Sequence, residues 1–191
     1  MENLETPDIN KINGDNPFVT APEVSLGKNA LIYGLILGAI TVVYSIILWL
    51  FGQTTNKALG YVNLIFSAGV MFYATKEYRD KQLDGYMMYG TAFTSNFLIG
   101  LYSCIIGAVY TFFLYQFIDP GLINTMKDVT EAAMQKNPSL SQEQIEQAMA
   151  TTSKFMTPGI ITVFAFIFGA IFSAILALLV SIFHKKEKSL L

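Results

Sequence analysis

PGIITVFAFIFGAIFSAILALLVSIF, residues 158–183, contains no Asp, Glu, Lys or Arg. At about 1.5 Å of rise per residue, a helix of this length crosses a hydrocarbon core about 30 Å thick. Three more stretches are free of charge: Lys28 to Lys57, Lys57 to Lys76, and Asp84 to Asp119. The sequence therefore predicts an all-α integral membrane four-helix bundle, with spans at 30–51, 58–75, 90–118 and 158–183. The spans are not equivalent. Residues 58–75 are just long enough to cross. Residues 86–118 would form a helix of about 50 Å, so it must tilt or its Tyr86 to Thr94 end must protrude.

Charged residues are 14% of the 191, well under the roughly 25% of an ordinary soluble domain, and they lie in tails and loops. The net charge of -2 gives no reason to expect nucleic acid as a partner. Residues 1–28 carry Pro7, Pro17 and Pro22 among polar residues and read as a flexible cytosolic tail. Residues 29–185 form the membrane domain, and 186–191 a second cytosolic tail. The acidic start lacks the basic region of a cleavable signal, so the first span is expected to serve as an uncleaved insertion signal.

Between spans three and four, residues 119–157 form the one sizeable extramembrane segment. Leu122, Met126, Val129 and Ala133 fall near one face of a predicted helix over 122–136. Asn137-Pro138 breaks it, and Ser141-Gln142-Glu143-Gln144 has the pattern of a capping box opening a second helix to Met156. A short helical hairpin is expected. With both termini in the cytoplasm, eight Lys and Arg lie inside and four outside, and Lys76, Arg79, Lys81, Lys185 and Lys186 cluster at the inner boundary. The expected topology therefore places both termini in the cytoplasm and 119–157 outside. The same basic residues are candidates for contact with lipid headgroups.

Helices in lipid associate through close contact of small residues. Span four carries Ala165, Gly169, Ser173, Ala177 and Ser181 at every fourth position. Span one carries Ala30, Gly34 and Gly38, and span three Ser103 and Gly107. These faces serve packing within the bundle or a homo-oligomer seam, with internal packing favoured because each chain already has four helices to bury.

An ionisable residue in a span would mark a functional site, and these spans hold none. That weighs against proton-coupled pumps, acid-lined channels and paired-aspartate proteases. The intramembrane polar groups of note are Asn63, Ser67 and Asn96. Their depths differ, so Asn63 and Asn96 are not expected to pair directly. Each either bonds across helices or lines a small polar cavity. Cys104 reads as apolar filler. His184 is the single histidine and is expected to snorkel beside Lys185 and Lys186. No metal set, cofactor motif or catalytic constellation is present, so no enzyme activity is expected.

Lys76-Glu77-Tyr78-Arg79-Asp80, then Gly85-Tyr86-Met87-Met88-Tyr89-Gly90-Thr91-Ala92-Phe93, then Phe117-Ile118-Asp119-Pro120 resemble a family of small bacterial membrane proteins known as a domain of unknown function and common among Bacteroidetes. Tyr33-Gly34-Leu35-Ile36-Leu37-Gly38 also resembles it, and the resemblance covers residues 28–185. It implies a multi-pass protein of the bacterial inner (cytoplasmic) membrane with 119–157 in the periplasm, and no particular activity. The favoured functional expectation is an accessory or scaffolding subunit, with membrane lipids, other membrane protein subunits or a second copy as partners. The alternative is a small carrier, or a protein that handles lipid-linked sugars beside a membrane glycosyltransferase.

Overall fold

The computed structural model describes residues 24–186; the tail 1–23 and residues 187–191 lie outside that range. Six helices follow one another: α1 (Leu26–Leu50), α2 (Lys57–Gln82), α3 (Tyr89–Phe113), α4 (Leu122–Gln135), α5 (Gln142–Phe155) and α6 (Pro158–Ile182). A π-helical turn, Leu114–Ile118, extends α3. Four helices are long and apolar enough to cross a membrane: α1, α2, α6, and α3 with its π turn. The chain is a multi-pass, all-helical membrane protein. No strand occurs among the described residues beyond one isolated antiparallel bridge between Met87 and Lys186.

Local chemistry sets the helix ends. Ser25, Asn56, Ser141 and Thr157 each accept a backbone N–H at an N-terminus. Ser141 and Gln144 close the expected capping box in both directions. Gly52 and Gly85, at φ +65° and +82°, take the left-handed conformation that ends α1 and α2. One boundary differs from the sequence reading. The residues after Thr75, read as loop, continue α2 to Gln82. They form helix because Lys, Glu, Arg and Gln are good helix formers and Glu77 binds Lys81 one turn on.

α3 is the centre of the bundle. Its buried stripe is Ala92, Ser95, Asn96, Ile99, Gly100 and Ser103, spaced at three and four residues. α1 and α6 pack along it on either side, whereas α2 touches it lightly. Gly34 and Gly38 bring α1 close: an added Cβ would lie 2.5 Å from Tyr102 Cβ and 2.5 Å from Ile106 Cδ1. Gly100 does the same for α6, with Ser173 Oγ 1.7 Å from where a Cβ would stand. The glycines thus act as the small-residue contacts that lipid-embedded helices need.

The two ends of the bundle are tied differently. At the end that holds both described termini, Val24 N donates to Gln82 Oε1 and Tyr33 donates to Glu77. At the far end, Trp49 Nε1 donates to Asp119 Oδ2 at 2.9 Å, and Tyr44 donates to the Leu59 carbonyl at 2.8 Å. α4 and α5 lie beyond this far end and touch each other, with Ile145 buried.

Candidate interhelical cavity

Two polar features lie between the spans. The first is a closed network at the termini end. Thr75 Oγ1 donates to Asn96 Oδ1 at 2.7 Å, Asn96 Nδ2 donates to Ser181 Oγ at 3.0 Å, and Ser181 donates to the Ala177 carbonyl. Thr75, Asn96 and Ser181 are fully buried and come from α2, α3 and α6. Asn96 therefore bonds across helices, and each of the three side chains in this network has a partner. Bonds of this kind between membrane helices contribute about 0.6 kcal/mol on average.

His184 lies beside this network and departs from the sequence reading. It does not reach toward solvent with Lys185 and Lys186. It is buried, with Nδ1 2.9 Å from the Val180 carbonyl, Nε2 3.0 Å from the Phe72 carbonyl, and its ring edge-on to Phe72. The cause is that α6 ends at Ile182, so the chain turns inward against α2. Among the basic residues at this end, Lys81 pairs with Glu77, Arg79 with Asp80 at 2.8 Å, and Lys186 lies over the Tyr86 ring.

The second feature is open. α2 buries Met71, Ala74, Thr75 and Tyr78, all in its half nearer the termini end. Its other half, residues 58–70, has no buried residue and borders a gap between the spans. The gap is a cavity of about 330 Å³ lined by all four spans, within the size range of small-molecule sites. Thr41 and Ser45 of α1, Asn63 and Ser67 of α2, Ser103, Tyr110 and Thr111 of α3, and Ser173 of α6 supply its polar groups. Five buried side-chain polar atoms among the described residues lack a hydrogen-bond partner, and three belong to this lining: Asn63 Oδ1, Tyr110 OH and Ser173 Oγ. Ser173 is 94% buried, being only 6% exposed. Unpartnered buried polar groups are uncommon because each costs about 1–3 kcal/mol.

The residues singled out from the sequence divide between these settings. Ala30, Gly34, Gly38 and Ala177 are buried in helix contacts. Ser181 and Asn96 belong to the network. Asn63 lines the cavity, while the Ser67 hydroxyl there donates to the Asn63 carbonyl. Ser103, Ala165, Gly169 and Ser173 line the cavity too, with Gly169 also close against Cys104 Sγ. Gly107 is a correction: it packs against no helix, since a Cβ there would meet nothing within 4 Å, and it lines the cavity instead. The sequence reading passed over Thr41 and Ser45, and took Tyr110 for a boundary aromatic rather than a cavity residue. Thr111 continues the Ser103-Gly107 stripe one turn on with Tyr110 beside it, which was the available signal.

The family described as protein of unknown function (DUF4199) matches residues 32–186. The chain belongs to that family. No curated protein and no solved structure matches it. In this DUF4199 protein the match covers most of α1, all of the other three spans, the buried network and the cavity.

Proposed function

We propose that this DUF4199 protein holds an amphipathic guest between its spans, as a small carrier or lipid-handling protein of the bacterial inner membrane. The role is one of binding rather than catalysis. The observation that carries this reading is the cavity with its unpartnered Asn63, Tyr110 and Ser173. A bundle selected only for packing would close such a gap or satisfy those atoms. The accessory-subunit reading drew on the small-residue faces. Gly34, Gly38 and Gly100 are occupied by contacts inside the chain, which leaves that reading less support than the cavity gives to binding.

Gly107→Leu tests the proposal, because the side chain enters the cavity without meeting a helix. Wild-type protein released from lipid nanodiscs into a mass spectrometer is expected to retain one lipid-sized adduct that the variant loses, with equal melting temperatures. An adduct of the same mass and occupancy on both proteins refutes the proposal. A stoichiometric protein partner in a mild-detergent pull-down, with no adduct, returns the weight to the accessory role.

A further inference from the structure

We infer that the guest is an uncharged lipid with a hydroxyl-bearing head, entering sideways from the membrane between α2 and α6. This rests on the binding role proposed above and names its ligand. No Asp, Glu, Lys, Arg or His lines the cavity among the described residues. A phosphate or ammonium head would be buried there without a counter-charge, which is strongly unfavourable.

The cavity offers hydrogen-bond acceptors and donors together. Asn63 Oδ1 can only accept. The Thr41 hydroxyl donates to the Gly38 carbonyl and the Ser67 hydroxyl to the Asn63 carbonyl, each at 2.9 Å. Their oxygens are left with lone pairs alone. Tyr110 and Ser173 have hydroxyls free to donate or accept. A guest that satisfies this set both donates and accepts, and vicinal hydroxyls do so without adding charge.

The route follows from the packing of α2. It is tied to α3 through Thr75 and to α1 through Tyr44, but its contact with α6 is slight. Leu64 of α2 and Phe172 of α6 line the cavity and are 39% and 55% exposed, so they flank an opening on the lipid-facing side. An opening between two apolar side chains admits an acyl chain, so the guest's tail rests in the bilayer while its head reaches Asn63.

The test is equilibrium binding to full-length protein in detergent of three probes: 1-oleoylglycerol, lysophosphatidate with the same oleoyl chain, and free glycerol. The monoacylglycerol is expected to bind, with lysophosphatidate weaker by more than about tenfold because of its buried charge. Asn63→Ala is expected to weaken monoacylglycerol about fivefold, the factor one ordinary hydrogen bond carries. Lysophosphatidate binding as well or better, or an unchanged affinity in Asn63→Ala, overturns the ligand class. If the nanodisc adduct is still sensitive to Gly107→Leu in that case, the cavity reading survives. Glycerol binding as tightly as the monoacylglycerol overturns entry from the membrane. Failure of all three probes, with an adduct indifferent to Gly107→Leu, overturns both the ligand class and the binding role.

Discussion

Gly100 and Gly107 lie on the same helix, two turns apart, and replacing each with alanine makes a controlled comparison. At Gly100 the new Cβ would stand 1.7 Å from Ser173 Oγ, 2.7 Å from Ser173 Cβ and 2.7 Å from Met71 Cε. Carbon atoms in good contact sit about 3.5–4.0 Å apart. The serine oxygen can rotate away, but its Cβ moves only with α6. Gly100→Ala therefore drives α3 and α6 apart by roughly 1 Å along their tightest contact, and overpacking of this kind costs about 1–3 kcal/mol. Alanine returns about 1 kcal/mol through its higher helix propensity. A net loss of up to about 2 kcal/mol is expected. At Gly107 nothing lies within 4 Å, so only the propensity gain applies and the change is neutral or stabilising by up to about 1 kcal/mol. The pair should differ by about 2 kcal/mol, or about 4–8 °C in melting temperature for a chain of this size. Unfolding in mixed micelles, titrated with a denaturing detergent, measures it directly. Coincident midpoints, or a lower one for Gly107→Ala, refute the assignment of one glycine to contact and the other to open space.

Four further outcomes are expected. Asn96→Ala removes both arms of the Thr75–Asn96–Ser181 network and should lower stability by about 1–2 kcal/mol; an unchanged midpoint would mean the network contributes nothing net. Gly169→Leu, pressed against Cys104, should reduce yield and melting temperature, and a fully stable variant would remove α6 from the tight seam. His184→Ala should speed amide hydrogen exchange across residues 183–186, read by mass spectrometry, because it frees the chain from the Phe72 carbonyl; unchanged exchange would refute that anchoring. For topology, Ser139→Cys in a Cys104→Ser background should react with a membrane-impermeant maleimide added to intact spheroplasts, and labelling only after lysis would reverse the orientation.

The fold was legible because lipid leaves few options: long uncharged runs become helices, and capping residues mark where they stop. The capping box at Ser141 and the Pro158 start of α6 are readable at the level of single residues. The cavity was not legible, for a physical reason. A small residue on a helix face either lets a neighbour approach or leaves a gap where none does. Gly100 and Gly107 look alike in sequence and differ only in what lies opposite. That depends on what the neighbouring helices place against each glycine, which tertiary packing alone determines. Asn63 and Asn96 show the same limit. One sits beside the gap and the other beside Thr75 and Ser181, and no local pattern separates them. His184 was misread because a histidine after the last span beside two lysines has the composition of a boundary residue, while its burial depends on Phe72, far away in sequence.

The place of α2 in the cavity wall also makes the cavity answerable to the bilayer. Its uncharged run, 58–75, rises about 27 Å when upright, already a little short of an average hydrocarbon core. Tilting shortens a helix's reach, so membrane thickness biases the tilt of α2. Changing the acyl-chain length is therefore expected to change the width of the slot between Leu64 and Phe172. Membrane thickness would then act as a control on access, built into the chain by having the span with the shortest uncharged run form one wall.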